Sequence, residues 1–175
     1  MIKNLLLLLL LMAPAVFAQE GRLIPSPLRK VPKWVRNEFT AKNLDQLYTF
    51  TFSRHPAYLK GDFNGDGRKD IAIQIQDKKS AKSGIAIFHA KRPQAIGTPV
   101  TILGAGKSLG KVGDSFQQMD MWELLKRRDV PGTADMRIRD GDAIKLAKRD
   151  SVGGFIYWNG KQYAWKTESA KQRPK

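Results

Sequence analysis

The chain has 175 residues, no cysteine, and 31 Lys and Arg against 16 Asp and Glu, a formal net charge of +15. Without cysteine there is no disulfide scaffold and no lipid-anchored amino terminus. The length suits one domain with a sound core of its own, and the charge favours anionic partners.

Residues 1–18 read as an export signal. Lys3 gives a positive start, Leu5 to Leu11 is an unbroken apolar run, and Val16 and Ala18 fit the small-residue rule for cleavage before Gln19. The run is too short to span a bilayer comfortably; an uncleaved anchor is the alternative. Cleavage removes one Lys and no acid, leaving 30 basic against 16 acidic side chains, a net charge of +14. The expected location is the periplasm or outside the cell, with no transmembrane segment after cleavage. There a bound cation can replace a disulfide as a staple.

Residues 19–30 hold Pro25 and Pro27, with Pro32 just beyond, and predict an extended lead-in. One domain is expected over 31–168, followed by a basic tail, 169–175. Pro32 to Thr40 predicts a short helix carrying Trp34, Val35 and Phe39, with Pro32 in the first turn. Leu47 to Phe52 predicts a strand with Tyr48, Phe50 and Phe52 on one face. Another strand is expected around Tyr58 and Leu59.

The next stretch carries most information. Asp62 to Asp70 reads Asp-Phe-Asn-Gly-Asp-Gly-Arg-Lys-Asp, with oxygen side chains at Asp62, Asn64 and Asp66, glycines at 65 and 67, and Asp70 closing the run. Ca²⁺ takes 6–8 oxygen ligands, and a tight turn that aims alternate side chains inward can supply them. The alternative is an Asp/Asn/Gly turn without metal. An EF-hand would place Glu at position 12, which is Ile73 here. The chain instead enters a strand at once, Ile71, Ile73 and Ile75 alternating with Ala72, Gln74 and Gln76. The phrase from Gly61 to Ile73 resembles the calcium loop of FG-GAP (VCBS) repeats, over about thirteen residues and in a single copy. That resemblance implies calcium on Asp62, Asn64, Asp66, the Arg68 carbonyl and Asp70. It does not imply a propeller, because the repeat does not recur.

Ile85 to His89 predicts a strand pairing with Ile71–Gln76 across the polar turn Asp77–Gly84, with His89 on the face of Ile85 and Ile87. Pro99 to Leu103 is a further strand candidate. Asp114 to Arg128 predicts a helix, with Asp114 or Ser115 as cap, Met119, Trp122 and Leu125 on the apolar face, and basic residues at the end. Asp142 to Lys148 predicts a strand. Phe155–Trp158, Asn159-Gly160 and Lys161–Trp165 predict a two-residue hairpin pairing Trp158 with Lys161 and Ile156 with Tyr163. Ile156, Trp158, Tyr163 and Trp165 then share one face, either a sheet core or a stacking platform for sugars or bases. Sequential strands with one or two helices give an α+β, mainly antiparallel fold.

The phrases Gly113-Asp114-Ser115-Phe116, Met119-Asp120-Met121-Trp122, Gly141-Asp142-Ala143-Ile144 and Tyr157-Trp158-Asn159-Gly160-Lys161 resemble a group of small exported bacterial proteins with one calcium loop. The resemblance spans most of 45–168 and implies a single-domain fold without a mechanism.

Catalytic signals are poor. Gly106-Lys107-Ser108-Leu109-Gly110 fits G-x-S-x-G, yet no histidine follows Ser108; the two are His55 and His89. The P-loop pattern fails because Thr101 stands where its first glycine should be. Residues 104–113 are then expected to be a flexible basic loop. The basic residues are dispersed: 126–128, 145–149 and 171–175 fall on different elements. The function expected is a calcium-binding, non-catalytic module for anionic envelope polymer or glycan, without specific nucleic-acid recognition. The alternative is a hydrolase of envelope polymer using Glu123 or Asp120.

Overall fold

A computed structural model describes residues 26–91, 97–130, 141–149 and 153–168. Strand β3 (Asp70–Asp77) is the spine of the first sheet. On one side it pairs with both β1 (Tyr48–Phe50) and β2 (Tyr58–Gly61), each covering part of its length. On the other side lie β4 (Ser83–Phe88) and then β5 (Val100–Gly104). The second sheet is β6 (Met121–Leu125), β7 (Ala143–Ala147), β8 (Gly154–Trp158) and β9 (Tyr163–Thr167) in sequence order. All pairings are antiparallel, and the fold is α+β.

Alternation assigns the faces. Ile71, Ile73, Ile75, Ala86 and Phe88 point to one side of the first sheet. Helix α2 (Lys33–Ala41) covers that side with Val35 and Phe39. Phe39 stacks on Phe50 at 4.0 Å between ring centroids. Ala72, Ile85, Ile87 and Leu103 point to the other side, where they meet Trp122, Ile144, Leu146, Ile156 and Tyr163 of the second sheet. The layers are therefore helix, sheet, sheet. Because β3 is buried on both faces, Gln74 lies in the core at 1% exposure. Its amide is satisfied by Ser53 Oγ, the Arg54 guanidinium and the Arg54 carbonyl, as a buried polar group requires.

Four sequence expectations are corrected. Residues 26–29, expected extended, wind into a helical turn, α1 (Ser26–Arg29); Leu28 packs beneath α2. The helix over Asp114–Arg128 does not form. Its proposed caps bond elsewhere: Asp114 to Lys82, and Ser115 Oγ to the Ser83 N–H. Half-buried Arg54 donates to the carbonyls of Phe116 and Met119, which a helix would need. Residues 121–125 instead pair along β7, placing Trp122 inward and Met121 outward. The hairpin register is also shifted, with Trp158 opposite Tyr163 and Ile156 opposite Trp165. Asn159 Oδ1 accepts the N–H groups of Lys161 and Gln162, both at 2.9 Å, and closes a four-residue turn. A slip of two residues preserves faces, so the four aromatic and aliphatic side chains still point together, into the inter-sheet core.

Residues 104–113 are not a free loop. Ala105 and Leu109 are buried, and Ala105 N–H, Gly106 N–H and Leu109 N–H reach the carbonyls of Ser83, Asp114 and Gly113. The proposed signal, most of the lead-in (19–25) and the basic tail lie outside the described residues. No helix among the described residues is long and apolar enough to cross a membrane.

Candidate metal centre

The loop runs from the end of β2 to the start of β3, at the seam between the two sheets. Asp62 sits at its centre. Its Oδ1 accepts the N–H groups of Gly65 (2.8 Å) and Asp66 (3.0 Å), and its Oδ2 accepts that of Gly67 (2.8 Å). Asn64 Oδ1 accepts the Asp66 N–H at 3.1 Å, and Asp66 Oδ1 the Arg68 N–H at 2.9 Å. The coil therefore turns its N–H groups and its side-chain oxygens toward one another. Gly65 and Gly67 have φ of 74° and 83°, left-handed values that side chains with Cβ rarely adopt. Phe63, between the first two acceptors, faces the opposite way and is buried in the inter-sheet core.

Asp70 is fully buried. Its Oδ2 accepts the Phe63 N–H (3.0 Å) and lies 3.2 Å from His89 Nδ1; its Oδ1 accepts the Ala90 N–H at 2.9 Å. His89, expected to be a sheet histidine, holds the carboxylate from the end of β4. One acceptor position on Oδ1 remains beside these partners.

Asp142, just before β7, joins the loop to the second sheet. Its Oδ2 accepts the Asp62 N–H at 3.0 Å, and its own N–H bonds the Asp62 carbonyl. Lys126 Nζ lies 3.0 Å from the same carboxylate. Gly141 permits the approach: a Cβ there would lie 3.0 Å from the Phe63 carbonyl oxygen. Sequence reasoning named Gly141-Asp142 as part of a phrase and Asp142 as the start of a strand, and missed its contact with the loop.

The donor set suits a hard cation: two carboxylates, a carboxamide, a main-chain carbonyl and the free position on Asp70, all oxygen. Among the described residues no group of three or more His, Cys, Asp or Glu is placed to hold a metal ion, and Asp62, Asp66 and Asp70 form no such group. Neutral oxygens would have to contribute. When bound, Ca²⁺ would supply positive charge at the loop's acid-rich turn, offsetting the repulsion between Asp62 and Asp66.

The other candidate residues stand apart. Asp120 Oδ1 caps the Arg149 N–H, and Glu123 pairs with Lys145 at 3.6 Å across the second sheet. Ser108 is exposed in a turn without the strand–helix elbow of a nucleophile. An open cleft of about 440 Å³ beside the loop is lined by Trp34, Glu38, Lys69, Lys91 and Thr98. Its acid, Glu38, is 3.0 Å from Lys91 Nζ, and that hydrogen bond is the largest of the effects holding its ionisation below the usual carboxylate range. This is the wrong direction for a general acid near neutral pH.

Compared with known proteins, the chain matches no family model, no curated protein and no solved structure.

Proposed function

We propose that the chain is an exported calcium-binding module without catalytic chemistry of its own, acting on anionic envelope or extracellular polymers. Calcium is held by Asp62, Asn64, Asp66, the Arg68 carbonyl and Asp70 through Oδ1. The observation that carries this reading is the Asp62 carboxylate, drawn inward by three main-chain N–H groups within a loop otherwise lined by oxygen acceptors. Such a loop, clasped by Asp142, makes the ion a staple between sheets in a chain without cysteine. Arg68 and Lys69 flank the acids, favouring the weak affinity of extracellular modules, about 10⁻⁴–10⁻³ M. Polymer attraction rests on the net charge of +14 left after cleavage of the signal.

Calorimetric titration of wild type and Asp66→Ala tests the site. Binding heat is expected for wild type and not for the variant; equal heats would overturn the assignment. The hydrolase alternative draws no support from Asp120 or Glu123, one a cap and the other an ion-pair partner.

A further inference from the structure

Tyr163 opens β9, in the second sheet, and is 6% exposed. Its ring is confined by His89, nearly parallel at 6.0 Å, and by Trp158, edge-on at 5.1 Å. Its hydroxyl is buried and has no hydrogen-bond partner. A buried hydroxyl left unpaired is costly, so native structures seldom retain one without a water or ion to satisfy it. The hydroxyl also lies within the field of the loop: after burial itself, the charges of Asp70, Asp62 and Asp66 are what resist its ionisation. His89, which stacks on the ring, is the residue that holds Asp70.

The loop supplies fewer ligands than the 6–8 oxygens calcium takes, and water ordinarily completes such a shell. A water on the cation turns its oxygen to the metal and its hydrogens outward, where an acceptor must wait. We propose that Tyr163 is that acceptor: its Oη receives a hydrogen bond from a water in the inner shell of the loop's cation. The second sheet then reaches the ion twice, through Asp142 on the Asp62 main chain and through Tyr163 on the water. Partners of this outer kind orient ligands and tune affinity. The inference rests on the calcium reading above.

The test uses the full chain, wild type and Tyr163→Phe, with Ca²⁺ in calorimetry and Eu³⁺ as a luminescent substitute. Wild type should bind Ca²⁺, and Eu³⁺ lifetimes in H₂O and D₂O should count at least one inner-shell water. Tyr163→Phe should weaken Ca²⁺ binding roughly five- to tenfold. In chelator its melting temperature should equal or exceed that of wild type, because the substitution removes an unpaired buried hydroxyl. Equal Ca²⁺ affinities, a zero water count in wild type, or a melting temperature lowered by the substitution in chelator would each overturn the role of Tyr163 while leaving the calcium site standing. Absence of Ca²⁺ binding by wild type would overturn both.

Discussion

Asp70 and Asp66 stand four residues apart in one loop, and the structure assigns them different kinds of work. Asp70 is fully buried and accepts two main-chain N–H groups and the His89 ring. Replacing it by Ala removes the partner of each. An unsatisfied buried donor costs roughly 1–3 kcal/mol, and water entering the space recovers part of that. The expected loss is about 3–5 kcal/mol, equivalent to a fall in Tm of roughly 6–20 °C for a chain of this size. In calcium the loss should be larger still, by up to the calcium increment, because a ligand goes with the carboxylate. Asp66 is exposed, accepts one N–H, and pairs with the Arg68 guanidinium at 3.5 Å. Asp66→Ala should cost at most about 1 kcal/mol in chelator. It should abolish the calcium increment, which at 100 times Kd is about 2.7 kcal/mol. Urea or thermal unfolding of wild type and both variants, each with calcium and with chelator, decides. The reasoning fails if Asp70→Ala is within about 1 kcal/mol of wild type in chelator, or if Asp66→Ala loses as much there as Asp70→Ala.

Three further outcomes are expected. Glu38 has its folded ionisation lowered, chiefly by Lys91, so their pairing stabilises above the unfolded carboxylate value and is lost as pH falls through the folded one. The Tm gap between wild type and Lys91→Met should therefore be widest near neutrality and close in acid; a constant gap refutes it. Mass spectrometry of the native protein should find Gln19 at its amino terminus, and an intact Met1 in the membrane fraction contradicts export. Retention on heparin, lipopolysaccharide or DNA should fall steeply from low to moderate salt and differ little among the three, because exposed charges are screened within about 8–10 Å. Tight, salt-insensitive retention on one polymer alone would replace general attraction by a recognition site.

What could be read from the sequence was local. The strand after the loop announced itself through Ile71, Ile73 and Ile75, and the helix over Lys33–Ala41 through Pro32 and the apolar trio that follows. The loop could be read because its acceptors are spaced within nine residues and bond their own main chain. The misread helix at 114–128 also had a local signal, apolar residues at spacings of three with a cap before them. It lost to partners far along the chain: Arg54 on the carbonyls and β7 along the edge. Tertiary pairing overrides such propensities routinely. Gln74 gives the converse case. Its polar character suited a solvated face, yet Arg54 and Ser53 satisfy it inside.

The same limit explains why half of the candidate site could not be read. Asp142 is eighty positions from Asp62, and Tyr163 lies in another sheet from every loop ligand. Neither has a spacing that marks it, since Asp142 looks like a strand-leading turn residue and Tyr163 like one more aromatic of a core face. Only when the sheets close does the first meet the Asp62 main chain and the second lose its water. A loop that needed only its own nine residues could sit on any edge. This one is wedged where the sheets meet, with Phe63 in their shared core and Asp70 gripped by His89 and Ala90 just beyond β4. Calcium bound there would report on, and reinforce, the docking of the two sheets, which is where a cysteine-free chain has most to gain from a staple.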